Sequence, residues 1–102
     1  MPKIFSIIVT YNGAPWIERC LHDLFESDLE TEVIVVDNAS SDNTLELLHS
    51  FENIHLVKNI ENVGFGQANN VGIDLAMKQG ADFIFLLNQD AYVFKNTISQ
   101  LV

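Results

Sequence analysis

The residues best placed to do chemistry stand where apolar runs stop. Phe83 to Leu87 is an uninterrupted apolar run of strand length that ends in Asn88, Gln89 and Asp90. Such a run, with Gly80 before it and polar residues after it, reads as a strand buried on both faces. Asn88 and Asp90 are two apart, so an extended chain turns both to one side. There Asp90 can hold a hard cation or a ligand hydroxyl; the alternative is an acid that starts a turn or caps the next helix. Asp37 closes a second apolar run, Val33 to Val36. A carboxylate there accepts from a base N–H or a sugar hydroxyl, or it binds the backbone amides of its own loop, 37–42. On local grounds the two roles stand level.

A third candidate is the segment from Asn62 to Asn69, broken by Gly64 and Gly66 and leading straight into a helical pattern. Helix N-termini approached by flexible loops attract phosphate. The segment is not the dinucleotide fingerprint, because it follows the third strand and Asn69 stands where the third glycine belongs. His22, His49 and His55 are scattered without ligand spacing. No Ser-His-Asp or Cys-His set assembles on one edge, which argues against a covalent nucleophile. Cys20 is the sole cysteine; on the apolar face of a helix it reads as a buried structural thiol.

The elements that must position these residues alternate regularly. Ile4 to Val9 is the first strand, stopping at Thr10-Tyr11-Asn12-Gly13. Pro15 suits the first turn of a helix whose apolar stripe is Ile17, Cys20, Leu21, Leu24 and Phe25. Val33 to Val36 is the second strand, and Ser41 or Asp42 caps a helix carrying Thr44, Leu47, Leu48 and Phe51 on one face. Ile54 to Val57 alternates as an edge strand does. A third helix runs from about Gln67 to Gln79 with Ala68, Val71, Gly72, Leu75 and Ala76 inward, and Gly80 ends it as a left-handed cap. Gly72 on that stripe implies close packing. Residues from Asn96 onward begin a fourth helix.

Alternation of this kind favours right-handed crossovers onto a parallel sheet. Two crossovers one way and one the other give the order 3-2-1-4 in a Rossmann-like three-layer αβα fold. The switch point then lies between the first and fourth strands. Thr10-Tyr11-Asn12, Asp37-Asn38 and Asn88-Gln89-Asp90 emerge together on the carboxyl edge beside it, where such folds bind ligands.

Composition narrows the ligand. The chain has 102 residues, one small domain. Its formal net charge is −9, with only Lys3, Arg19, Lys58, Lys78 and Lys95 basic. That surface repels nucleic acid and anionic lipid. It repels a phosphate ester too, unless a metal or helix N-termini supply the positive charge. No apolar run reaches membrane-spanning length and the N-terminus lacks a signal-peptide pattern, so the expected address is cytoplasmic.

Taken together, Ile7 to Asn12, Val35 to Thr44, Asn62 to Gly72 and Leu86 to Ala91 resemble the successive motifs of family 2 glycosyltransferases, in order and spacing. The wording is most similar to the rhamnosyltransferase-like subgroup. The resemblance implies the N-terminal part of a glycosyltransferase A-type (GT-A) fold and transfer of a sugar, with inversion, from a nucleoside diphosphate donor. The acceptor would be a glycan or a lipid-linked glycan in cell-envelope polysaccharide synthesis. It implies that Thr10, Tyr11 and Asn12 line the nucleotide pocket and that Asp37 reads the base, from a UDP- or dTDP-sugar. Asn62, Gly64 and Asn69 would lie along the donor, with Asn88, Gln89 and Asp90. Asp90 takes the place of the last acid of an Asp-x-Asp motif that holds Mg2+ or Mn2+ against the diphosphate; Asn88 replaces the first. Residues 1–102 would then be the donor-binding part of a larger domain, with the general base and acceptor site beyond Val102. Apolar surface beside the fourth strand would be left without a partner, a source of homo-oligomers. Membrane contact would be at the inner face. A non-catalytic binding module of the same fold is the first alternative. A receiver-like regulatory domain is the second, though it expects an acid pair where Thr10-Tyr11-Asn12 stands.

Overall fold

The computed structural model describes residues 2–102. Four strands alternate with four helices: β1 (Ile4–Thr10), α1 (Ile17–Phe25), β2 (Glu32–Asp37), α2 (Thr44–Leu48), β3 (Ile54–Lys58), α3 (Phe65–Lys78), β4 (Phe83–Asn88) and α4 (Thr97–Leu101). All pairings are parallel and the order is β3-β2-β1-β4, as the alternation implied. Every residue of β1 is buried, because β1 has a strand on each side and helices over both faces. Ile8, Val33 and Val35 point into one apolar cluster with Ile17, Leu21 and Leu24 of α1, Leu48 of α2 and Ile98 of α4. Phe5, Ile7, Ile34 and Val36 point the other way, beneath Ala68 and Ala76 of α3. The two crossovers over one face and the single one over the other put the switch point between β1 and β4.

Three sequence expectations change. β4, at the edge where the order 3-2-1-4 puts it, is not buried on both faces: Phe83 is 40% and Leu86 52% exposed. The run is apolar throughout, but α3 sits over β1 and β2 and leaves the α3 side of β4 uncovered at Leu86. In the chain after β4, Tyr92, Phe94 and Leu101 are exposed as well. α3 starts at Phe65, two residues early, directly after Gly64 at φ 87°. Its inward face holds Asn69 in place of Val71, which is exposed. Finally, Pro15 lies in a turn before α1, where the Gly13 carbonyl accepts the N–H groups of Trp16 and Ile17, both at 3.0 Å. Among the described residues no helix is long and apolar enough to cross a membrane.

Small residues on α3 let it lie close to β1. A Cβ built on Gly72 would stand 2.6 Å from Ile7 Cγ2. Ile7 is fully buried in the central strand and branched at Cβ, so it has little freedom to yield. Gly80, at φ 84°, ends the helix. The Lys3 ammonium then donates to the Gln79 carbonyl at 2.7 Å, a cation on the negative end of the helix.

On the carboxyl edge, the loop after β1 is tied to the loop after β2. Asn12, at φ 48°, accepts at Oδ1 from the Ser41 N–H at 2.8 Å and the Asp42 N–H at 3.3 Å. Its own N–H donates to the Ser40 hydroxyl at 2.9 Å. The N-cap of α2 is Asn43 in place of Ser41 or Asp42, and its side chain makes no capping bond. Asp42, one residue earlier, accepts the Thr44 N–H at 3.0 Å, the Thr44 hydroxyl, and the Ala14 N–H at 3.3 Å. These donors, the Thr44 hydroxyl first, hold the Asp42 carboxyl below its ordinary value of 3.8.

Two outcomes follow from this packing. Gly72→Ala gains up to about 1 kcal/mol of helix propensity but meets Ile7, and overpacking a core costs about 1–3 kcal/mol. The expected net is a loss of about 1 kcal/mol in a denaturant titration; a variant as stable as wild type contradicts the packing. For Asp42, a carboxyl whose folded value is depressed stabilises the fold at neutral pH and loses that contribution as pH falls through the folded value, below 3.8. Asp42→Asn should therefore narrow its stability gap to wild type as the pH drops from 7 towards 3. A constant gap contradicts the role of its bonds to Thr44 and Ala14.

Candidate functional site

Asp37 ends β2 with no exposed surface. Burying a carboxylate without donors costs several kcal/mol, and here three are supplied. The Thr10 hydroxyl donates to Oδ1 at 2.7 Å, the Ser40 hydroxyl to Oδ1 at 2.6 Å, and the Ser40 N–H to Oδ2 at 3.0 Å. Thr10 and Asp37 are register partners in the β1–β2 pairing, so the strands themselves bring the two side chains together. The next residue, Asn38, is 2% exposed and holds the loop after β3. Its Oδ1 accepts the Asn59 amide at 3.0 Å and the Val63 N–H at 3.1 Å, and its Nδ2 donates to the Gly64 carbonyl at 3.1 Å.

β4 gives out at Asn88, where the Ala91 N–H donates to the Asn88 carbonyl at 2.9 Å. The chain turns there, so Asn88 and Asp90 do not continue as alternate residues of an extended strand. At the centre of that turn, the Gln89 amide crosses to Tyr11. Oε1 accepts the Tyr11 N–H at 2.9 Å and Nε2 donates to the Tyr11 carbonyl at 3.0 Å.

Between these loops lies a crevice of about 470 Å³ at the switch point. The end of β1 and the following loop contribute Val9, Tyr11 and Trp16. Asn38, Asn62, Gly64 and Phe65 come from the loops after β2 and β3, and Asn88, Gln89 and Asp90 from the turn after β4. Of the residues expected to contact a ligand, Tyr11, Asn62, Gly64, Asn88, Gln89 and Asp90 meet here. Thr10, Asn12, Asp37 and Asn69 do not. The Thr10 hydroxyl and Asp37 carboxylate satisfy each other, Asn12 is spent on the neighbouring loop, and Asn69 is buried on the inward face of α3. Asp37 takes the loop role left open for it, bonded to Thr10 and Ser40.

Sequence reasoning missed Val9 and Trp16 as lining residues, while Asn38 and Phe65 lie in the two segments, Asp37-Asn38 and Asn62 to Asn69, that it had placed on this edge. Trp16 carried a signal, since it is a large aromatic at the start of a helix on the ligand edge.

Among the described residues Asp90 is the one acid lining the crevice, and no basic residue lines it. Arg19 is engaged elsewhere, its guanidinium 4.1 Å over the Tyr92 ring. Among the described residues no three His, Cys, Asp or Glu stand together as a metal site. One exposed carboxylate with an amide oxygen fits the kind of hard-cation site that substrate phosphates and water complete. Cys20 is buried, with its sulfur 3.9 Å from the Asn88 carbonyl. Burial, then Asp23 and Asp90, push the thiol up to about 11, so it stays protonated and is not a nucleophile at neutral pH. A larger cavity of about 640 Å³ opens at the amino edge of the sheet. Asp28, Glu30, Glu32 and Glu52 line it, and this chemistry turns phosphate away.

The glycosyl transferase family 2 profile matches residues 6–102. TarS of Staphylococcus aureus, a poly(ribitol-phosphate) beta-N-acetylglucosaminyltransferase, is 33% identical over 96% of this chain and 18% of its own length. The dTDP-rhamnosyl transferase RfbF of Shigella flexneri is 30% identical over 97% of this chain and 33% of its own. This chain thus spans a third or less of either relative. Its fold superposes on the crystal structure of TarS residues 1–349 with UDP at a TM-score of 0.86, with 27% identity over 97% of this chain and 30% of that one. The mannosyltransferase PcManGT of Pyrobaculum calidifontis, in complex with GDP-Man and Mn2+, gives 0.85, with 29% identity over 96% and 30%. The order 3-2-1-4 is that of the GT-A transferases, and with nearly its whole length matched by one profile, this chain belongs to glycosyl transferase family 2.

Proposed function

We propose that the crevice binds a nucleoside diphosphate sugar and that this chain is the donor-binding part of an inverting glycosyltransferase. The observation that carries the reading is the convergence of Tyr11, Trp16, Phe65, Asn88 and Asp90 at the switch point, on a fold that relatives use to hold UDP and GDP-Man. Aromatic rings suit a base and a sugar face; a lone carboxylate suits an ion shared with a diphosphate. TarS and RfbF support a glycan or lipid-linked acceptor in envelope polysaccharide synthesis, and RfbF supports a dTDP-rhamnose donor beside UDP-sugars. The general base is assigned outside residues 1–102, since the one acid in the crevice is committed to the ion. We place the protein in the cytoplasm, meeting the inner face of the membrane through its acceptor, because a charge of −9 gives no attraction to anionic lipid. A non-catalytic module of the same fold would bind the nucleotide without turnover.

With no basic residue in the crevice, a diphosphate approaches Asp90 against repulsion. Two like charges about 4 Å apart repel by about 4 kcal/mol at an effective dielectric near 20, less with solvent exposure. A divalent ion, Mg2+ or Mn2+, held by Asp90 with the Asn88 amide beside it, reverses the sign and, when bound, stabilises a departing diphosphate as a Lewis acid. UDP or dTDP binding, followed by calorimetry, is expected to need divalent metal. Asp90→Ala should lose most of the affinity and the metal dependence, and Asn88→Ala should lose less. Equal binding with chelator, or wild-type binding by Asp90→Ala, would contradict the assignment.

The exposed apolar side chains on and after β4, Phe83, Leu86, Tyr92 and Phe94, support self-association of these 102 residues on their own. Sedimentation velocity should show a concentration-dependent shift, and a monomer at all concentrations would count against it.

A further inference from the structure

We infer that Gln89 is a positioning residue of the crevice: its side-chain amide, seated on Gly13, fixes the turn bearing Asp90 against the end of β1, so that Tyr11 and Asp90 face one ligand together. This rests on the donor-binding reading above and deepens it. The backbone pairing of β1 with β4 stops at Val9 and Asn88. Beyond that rung the two chains diverge, one into the loop towards α1 and the other into the turn at Asn88. The Gln89 amide spans the gap as a peptide group would, accepting the Tyr11 N–H and donating to the Tyr11 carbonyl. With both atoms so engaged, Gln89 has little left to offer a ligand. Its sequence neighbours Asn88 and Asp90 keep the lining positions it holds in place.

Gly13 is the second half of the device. Its φ is not among the left-handed ones, so conformation does not demand glycine there. Space does: a Cβ on Gly13 would lie 2.1 Å from Gln89 Oε1 and 2.8 Å from Cδ. Nor can Gly13 move aside. Its N–H donates to the Thr44 hydroxyl at 2.9 Å, and its carbonyl holds Trp16 and Ile17 at the start of α1. One glycine thus joins the loops after β1 and β2 to the turn after β4, and any side chain on it displaces the Gln89 amide.

The test is UDP titration with Mn2+ on the 102-residue chain by calorimetry. Gln89→Ala and Gly13→Ala are each expected to weaken binding about tenfold, the scale of a lost hydrogen-bond pair. The double variant should be no weaker than Gln89→Ala, because the new methyl then meets no amide. Amide hydrogen exchange adds a readout within one folded protein: the Tyr11 N–H, held by Gln89 Oε1, should lose protection in Gln89→Ala while the amides of β1 keep theirs. Wild-type affinity in Gln89→Ala, additive losses in the double variant, or unchanged exchange at Tyr11 would each overturn the inference while leaving the donor reading intact. Failure of the wild type to bind UDP or dTDP would overturn both.

Discussion

A carboxylate with no exposed surface stands at the end of β2, and the ligand edge is built around satisfying it. Leaving Asp37 charged and unpaired among aliphatic strands would cost much of the stability of a domain this small. Its three donors come from the adjacent strand and from Ser40, which fixes the loop after β2 in place. That loop then serves as the anchor for its neighbours. Ser40 and Ser41 hold Asn12, Thr44 holds Gly13, and Asn38 holds the chain from Asn59 to Gly64. Ala39 sits at φ 63°, a conformation that costs an alanine about 1 kcal/mol and persists because both sides of it are tied down.

This accounts for the character of the crevice. Most polar side chains on the carboxyl edge are consumed in holding loops to one another. Tyr11, Trp16, Phe65, the amides of Asn62 and Asn88 and one acid are left to face a ligand. Such a site offers shape and aromatic surface freely and charge sparingly. With an overall charge of −9 and no cation in the crevice, a diphosphate must bring its own neutralisation. Family membership and this electrostatic argument both support the proposed divalent ion at Asp90.

The architecture was legible because its determinants are local. Apolar runs of strand length alternated with helical stripes, and the crossover rule left one economical sheet order. Gly72 and Gly80 were read correctly from position alone. The exposure of β4 was hidden because burial depends on what covers a strand, which its own composition does not reveal. At the site, residue types showed which edge binds but not which side chains face inward. Asp37 and Asn38 are adjacent and polar, yet one is sealed behind Thr10 and the other lines the crevice. Thr10, Asn12 and Asn69 do not line the crevice for the same reason, since a hydrogen-bonding side chain next to a ligand edge serves the loops as readily as the ligand. Gln89 was assigned to the ligand, whereas its partner is Tyr11 backbone across the sheet, a contact 78 residues distant in sequence.

The central claim is that the smaller, switch-point crevice takes the nucleotide and the larger acidic cavity does not. Backbone amide shifts in a two-dimensional NMR titration with UDP and Mg2+ address this directly. The account predicts the largest shifts at Tyr11, Asn38, Gly64, Phe65 and Asp90, with Asp28, Glu32, Glu52 and His55 unmoved. Shifts concentrated at the latter group, or none at the former with saturating UDP, dTDP and metal, would contradict it.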